Sequence, residues 1–258
     1  MADRLKGKKA LITGGAQGLG ATIGRMMAAE GAVVTLTDRN EEGARATAAA
    51  LNAEYGREIA FAFGHDVTDA ARWDAVVSAA DAAMGGINVL VNNAGIAVMG
   101  SVESLSLDEW DRCMKVNTDS VFFGIKSALR VMRDHQPGSI INISSISGLV
   151  AGHNLAAYNA SKAAVWLLSK SVALHCARLR LDIRSNSIHP AFIKTPILND
   201  LSPKGASEEL YEKLAKQVPL GRLGDPADVG HAAIYLAADE SRFMTGSELK
   251  LDGGLSAS

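Results

Sequence analysis

A short apolar run, Lys9–Thr13 (KALIT), opens directly into TGGAQGLG, which places glycines at 14, 15, 18 and 20. Behind it, Ala21–Glu30 carries Ile23, Met26 and Met27 on one helical side. No other stretch constrains the fold as strongly. A buried strand that empties through a glycine turn into a helix N-terminus begins a strand–helix–strand unit, the crossover that parallel strands require. Glycine lets backbone N–H groups come close to a phosphate, and the helix dipole favours its charge. A plain glycine-rich turn would need neither flank.

The alternation continues down the chain. Val33–Thr37 reads as a second strand ending at Asp38, 18 residues after Gly20. In a dinucleotide fold a carboxylate there accepts hydrogen bonds from the adenosine ribose and repels a 2′-phosphate, which selects NAD over NADP. Arg39 follows and could contact a phosphate, but Asp38 sits on the strand end itself and carries more weight. Asn40–Tyr55 reads as a helix and Ile59–Phe63 as a strand, followed by His65-Asp66-Val67. Asp66 and Val67 could flank an adenine, or Asp66 could cap the helix expected over Thr68–Met84. Ile87–Val91 closes in Asn92-Asn93-Ala94-Gly95, where amides and small residues suit a ligand wall. Ser106 and Glu109 form a capping-box start for one long helix to about Asp134. That helix contains Asn117, which either faces solvent or finds a backbone carbonyl or a bound water.

Further strands are expected at Ser139–Ile143, Ile183–Ile188 and Ser247–Leu251, and Asp225-Pro226 opens a helix to Ala238. After Ile188 the chain is expected to turn away from the sheet. The pattern predicts an α/β fold, a Rossmann-type doubly wound parallel sheet of about seven strands. It is read as one catalytic domain over 1–258, with a mobile substrate flap at about 191–217.

Chemistry enters in the eighteen residues from Ser145 to Lys162, SISGLVAGHNLAAYNASK. On a helix Tyr158 and Lys162 share a face one turn apart. A phenolate at neutral pH needs about 4 kcal/mol of stabilisation, since tyrosine titrates near ~10. One cation at ~4 Å in an effective dielectric of ~20 supplies that much. The spacing therefore suits an acid–base tyrosine, with Ser145 placed to hold a substrate oxygen. His153 and Leu155 lie between them and are expected to line a pocket, though His153 could equally face solvent.

Composition narrows the partners. With 48% hydrophobic and 21% charged residues over 258 positions the chain is built to fold, and a net charge of −2 without a basic block argues against nucleic acid or an anionic membrane. Cys113 and Cys176 fit neither a metal spacing nor a disulfide framework, and no metal cluster is expected. The N-terminal residues hold no apolar run long enough for a signal peptide or a span, so a cytoplasmic protein is expected.

In order, TGGAQGLG at 13–20, Asp38, Asp66-Val67, NNAG at 92–95, Asn117, Ser145, YNASK at 158–162, Pro190 and Thr195 span essentially the whole chain. The set resembles the short-chain dehydrogenase/reductase family. The resemblance implies Tyr158 as acid/base, Lys162 depressing its pKa and binding the nicotinamide ribose, Ser145 holding the substrate oxygen, and Asn117 anchoring a water in a proton relay. It further implies Gly14, Gln17, Gly18 and Leu19 beside the pyrophosphate, Asn93 at the adenosine side, and Ile193 and Thr195 at the nicotinamide. Ala191 stands where the family usually has glycine, which leaves the Ile193 contact less secure. A homotetramer, or sometimes a dimer, is implied, built partly on the helices carrying Asn117 and Tyr158.

The run RSNSIHPAFIKTPILNDLSPKGAS at 184–207 resembles NAD-dependent hydroxysteroid and alicyclic-alcohol dehydrogenases. The expected activity is NAD(H)-dependent interconversion of a hydrophobic secondary alcohol, of steroid or cyclic type, and its ketone. A 3-oxoacyl-carrier-protein reductase is the alternative enzyme; a non-catalytic dinucleotide-sensing or scaffolding protein is the alternative from another class.

Overall fold

The computed structural model describes residues 3–201 and 207–257. Its strands are β1 (Lys9–Thr13), β2 (Val33–Asp38), β3 (Ala60–Gly64), β4 (Val89–Asn92), β5 (Gly138–Ile143), β6 (Ile183–Pro190) and β7 (Glu248–Leu251). They form one sheet in the order β3-β2-β1-β4-β5-β6-β7, every pairing parallel. This is the doubly wound sheet expected. Because β1 has β2 on one side and β4 on the other, the chain leaves the sheet in opposite directions there. The resulting crevice lies outside the strands' carboxyl ends, where such folds bind ligands.

The central strands feed two cores. Ala10 and Ile12 of β1 pack with α1 (Gly18–Ala29), α2 (Glu41–Tyr55) and α8 (Pro226–Ala237), among Ile23, Leu36, Leu51 and Ile234. Leu11 points the other way, to α3 (Arg72–Met84), α5 (Ser120–Met132) and α6 (Ala156–Arg178), among Trp73, Ile125 and Val172. Burial on both faces is why the strands read as continuous apolar runs.

Four boundaries differ from expectation. Helix α1 starts at Gly18, not Ala21, with Gln17 extended at its cap, so the last glycines already belong to its first turn. Helix α3 starts at Arg72, because Asp69 accepts from Ala71 N (3.0 Å) and Arg72 N (3.3 Å) and holds a turn ahead of it. The long helix divides into α4 (Leu107–Met114), a π-turn over Lys115–Asp119, and α5. Strand β6 does not turn away after Ile188; it continues to Pro190, drawn on by β7 through His189↔Lys250 and Pro190↔Leu251.

Within 191–217, a 3-10 turn (Pro196–Leu201) and α7 (Glu208–Ala215) bury Leu198 and Leu214 with Leu223, packed against Phe192, Leu210 and Tyr211. These apolar residues have a small core of their own. Pro203 and Gly205, also assigned to the flap, lie outside the described residues. Among the described residues, no helix is long and apolar enough to cross a membrane.

A buried polar chain ties the central strands to α6. Asn92 Nδ2 donates to Asn142 Oδ1 (2.8 Å), and Asn142 Nδ2 donates to Ser169 Oγ (3.0 Å). Substituting Asn142→Leu strands the Asn92 amide in a dry environment, at a cost of about 1–3 kcal/mol. Urea denaturation is expected to show a loss of that size; a change under ~0.5 kcal/mol, the usual effect of an inconsequential substitution, would show the network to be dispensable.

Candidate active site

The crevice is a cavity of about 600 Å³, and nearly every candidate residue lines it. Its first wall is the glycine turn. Gly14 has φ +70°, and a Cβ there would lie 2.8 Å from Asn93 Nδ2. A Cβ on Gly20 would lie 2.1 Å from the Gly14 carbonyl oxygen, so no side chain fits without moving the turn. Thr13 Oγ1 accepts from Asn93 N and Ala94 N, both at 3.0 Å, and Asn93 Nδ2 donates to Thr13 O at 2.8 Å. Asn93 therefore lines the cavity while its amide nitrogen braces β1 against β4. With Gly14, Gln17, Gly18 and Leu19 on the wall and α1 beginning at Gly18, the turn fits a pyrophosphate.

At the end of β2, Asp38 accepts from Ala16 N at Oδ2 (3.1 Å) and from Asn40 N at Oδ1 (2.9 Å). Arg39 lines the cavity beside it. Asp66 and Val67 line the same end. Asp66 Oδ1 accepts from Thr68 N (2.9 Å) and Thr68 Oγ1 (2.7 Å), which holds its carboxyl below the usual range. Asp66 thus shapes a turn at the cavity, and Asp69 takes the position in front of α3.

The other end carries the hydroxyls and the amine. Strand β5 delivers Ser144, which donates to Lys162 O (2.8 Å), and Ser145, whose Oγ accepts from Ser147 N (3.1 Å) and donates to Pro190 O (3.4 Å). Helix α6 places Tyr158 and Lys162 one turn apart, both on the cavity wall with Ser145. Lys162 is 4% exposed; its Nζ donates to Ile143 O (2.9 Å) and lies 5.8 Å from the Tyr158 ring centroid.

The electrostatics differ from the expectation that Lys162 depresses the Tyr158 pKa. Burial pushes the phenol up, and a hydrogen bond with Ser145 pulls it only partway back. Burial also lowers Lys162 to about 8. The amine spends its hydrogen bond on a backbone carbonyl, and desolvation dominates both groups.

Asn117 does not line the cavity. It is fully buried in the π-turn, where Oδ1 accepts from Ile96 N (2.9 Å) and Nδ2 donates to Ile96 O (2.9 Å) and Ser161 Oγ (3.0 Å). The exposed alternative is thereby overturned, and its side chain is engaged with backbone and Ser161. Ser161 Oγ in turn donates to Tyr158 O (2.8 Å), linking Asn117 to the first turn of α6.

Ile193 and Thr195 line the cavity, and Ile193 is 5% exposed. Ala191 is accommodated: its N–H donates to Leu251 O (3.0 Å), and the described non-glycine residues with positive φ are Asp3 and Arg180. Ile96, Ala97, Leu155, Phe192 and Leu198 add an apolar wall. His153 is exposed and absent from the cavity wall. Arg112 and Lys115 also reach the wall, unannounced by any motif, because they sit on an ordinary amphipathic helix and its π-turn. Strands β2 and β5 stand three places apart, so Asp38 and Ser145 emerge about 14 Å apart. That span, with an anion-binding turn between, fits an extended dinucleotide beside a small apolar substrate.

The comparisons agree with this geometry. A family model described as enoyl-(acyl carrier protein) reductase matches residues 14–256. The NADP-dependent (R)-specific alcohol dehydrogenase of Lentilactobacillus kefiri is 42% identical over 258 residues, covering all of both chains. The 3-alpha-(or 20-beta)-hydroxysteroid dehydrogenase of Mycobacterium bovis is 44% identical over 98% of this chain and 91% of that protein. The solved structure of ligand-free aldohexose dehydrogenase from Thermoplasma acidophilum superposes with a TM-score of 0.87 at 32% identity, covering 100% of this chain and 96% of that one.

Lys162 supplies a test of the site's electrostatics. Between about 8 and the ordinary 10.5, the unfolded chain holds a proton at Lys162 that the folded chain has lost, so this residue's contribution makes stability rise with pH across that window. Below it both states are charged and the burial cost is complete. The stability of Lys162→Met relative to the unsubstituted protein should therefore be highest at pH 7 and fall by pH 10 in denaturant titrations. A pH-independent difference would contradict the depressed value.

Proposed function

The chain belongs to the short-chain dehydrogenase/reductase family of oxidoreductases, and on that premise we propose that it interconverts a hydrophobic secondary alcohol and its ketone with NAD(H). The observation that carries this reading is a single cavity holding Ser145, Tyr158 and Lys162 at one end and Asp38 at the other. The wall of Ile96, Leu155, Phe192 and Leu198 favours an apolar substrate of steroid or cyclic-alcohol type, in keeping with the names of the relatives. The segment 191–217 acts as the specificity element of this one catalytic domain.

The nicotinamide supplies or accepts the hydride when bound. Ser145 Oγ donates to the substrate oxygen and orients it. Tyr158 hands its proton to that oxygen in the reductive direction and takes it back in the oxidative one. The raised phenol is the protonated form that ketone reduction needs. In oxidation the Ser145 hydrogen bond is the contact that favours the phenolate. Asn117 braces Tyr158 through Ser161 and is assigned the water of the proton relay.

Asp38 argues for NAD by like-charge repulsion of a 2′-phosphate. Arg39 and the NADP-dependent relative are the counterweight, and turnover with the two cofactors decides between them. Phe122, Leu167 and Leu174 on α5 and α6 are exposed apolar residues, which supports assembly as a homotetramer through those helices.

Tyr158→Phe should lower kcat by ~10²–10⁴-fold while NADH binding, followed by fluorescence, stays unchanged. A variant that kept most of its turnover would remove Tyr158 from the mechanism. A panel of steroid, cyclic, aryl and 3-hydroxyacyl alcohols, assayed with both cofactors, should show NAD-linked turnover of the first two. A strong NADPH preference on acyl thioesters would favour the carrier-protein reductase, and dinucleotide binding without any turnover would favour a sensing protein.

A further inference from the structure

Behind Ser145, on the side away from the cavity, lies a histidine that the chemistry above does not use. His189 is fully buried and does not line the cavity. Its Nδ1 lies 3.0 Å from the Ser145 carbonyl oxygen and its Nε2 lies 2.8 Å from Ser187 Oγ. A carbonyl oxygen only accepts, so Nδ1 carries the proton and Nε2 takes the Ser187 hydroxyl proton. Both ring nitrogens are thereby committed, and the tautomer is set.

The sheet explains why a side chain is needed there. The β5–β6 ladder runs to Ile143↔Ile188, and its last bond is Ser144 N to Ile188 O at 2.9 Å. In that register Ser144 O would next accept from residue 190, which is a proline without an N–H. Backbone pairing therefore stops one residue short of Ser145, whose carbonyl is met by the imidazole instead. The ring also stands edge-on to Trp166, with centroids 6.4 Å apart. Trp166 lies on α6, one turn beyond Lys162 and two beyond Tyr158.

We infer that His189 is a positioning residue: it holds the Ser145 backbone just past the point where the ladder stops and sets the distance between the Ser145 hydroxyl and the Tyr158 phenol. The inference rests on the role proposed for Ser145, and the experiment separates the two. His189→Leu and His189→Asn are made with Ser145 intact and in a Ser145→Ala background. The asparagine amide keeps a donor near the Nδ1 position. Dinucleotide affinity, read by fluorescence, reports folding and the Asp38 end.

With Ser145 intact, His189→Leu should lower kcat by ~10–100-fold, as small misplacements of catalytic groups do, with dinucleotide affinity within about twofold. His189→Asn should recover most of that loss. In the Ser145→Ala background the His189→Leu loss should shrink to under about threefold, since coupled residues act non-additively. An equal loss in both backgrounds, or no recovery with asparagine, would overturn the inference. If Ser145→Ala alone left kcat unchanged, the role of Ser145 in the proposed function would be the part that failed. Should His189→Leu not bind dinucleotide, Ser187→Ala takes its place. It releases the tautomer, and a kcat loss confined to the Ser145-containing protein is expected; no loss would again overturn the inference.

Discussion

The rest of the molecule depends on the parting of the chain at β1 and β4. These two strands pair over only Ala10↔Val89, Leu11↔Leu90 and Ile12↔Val91 before their continuations leave toward opposite faces. The Thr13 hydroxyl closes that seam by accepting from two successive amides of the β4 exit. That hydroxyl, together with the Asn93 amide that donates back to Thr13 O, holds together the two loops that floor the cavity. The glycine turn lies on one side of it and the NNAG segment on the other, so neither can shift without the other.

Much of the architecture was legible because burial leaves a direct trace in composition. A parallel strand covered on both faces must be apolar throughout, as in Leu11–Ile12 or Ile140–Ile141, and must end where a glycine or a polar turn lets the chain leave. The site was legible where its residues follow strand ends: Asp38, Asp66, Asn93 and Ser145 all do. Asn117 was not, because its burial depends on a π-turn that rotates it out of helical phase toward Ile96, and spacing that assumes a regular helix cannot register such a turn. The extension of β6 to Pro190 was hidden for a related reason. It is imposed by β7, more than fifty residues later in the chain, and no local pattern contains it.

The pairing of Tyr158 with Lys162 shows where a charge argument drawn from sequence needs its surroundings. The Coulomb attraction available at 4 Å presumes a partner aimed at the phenol. In the structure the amine is aimed at the Ile143 carbonyl, and the loss of solvent dominates both groups. The site is therefore preset with a neutral phenol beside a weakened cation. Ser144 and Ser145 serve it in different ways, the first anchoring the α6 backbone and the second facing the cavity.

Asp38 has a consequence for how cofactor choice could change over evolutionary time. Its two carboxylate oxygens do not stand free at the strand end; they are held by the amides of Ala16 and Asn40. The acid is in effect the resident anion of a small backbone nest, half of which belongs to the glycine turn. Removing it would free two backbone donors at the end of β2, with Arg39 already alongside. Under the role proposed for Asp38, a switch of specificity at this position is therefore short in mutational distance, and it alters the order of the loop in the same step.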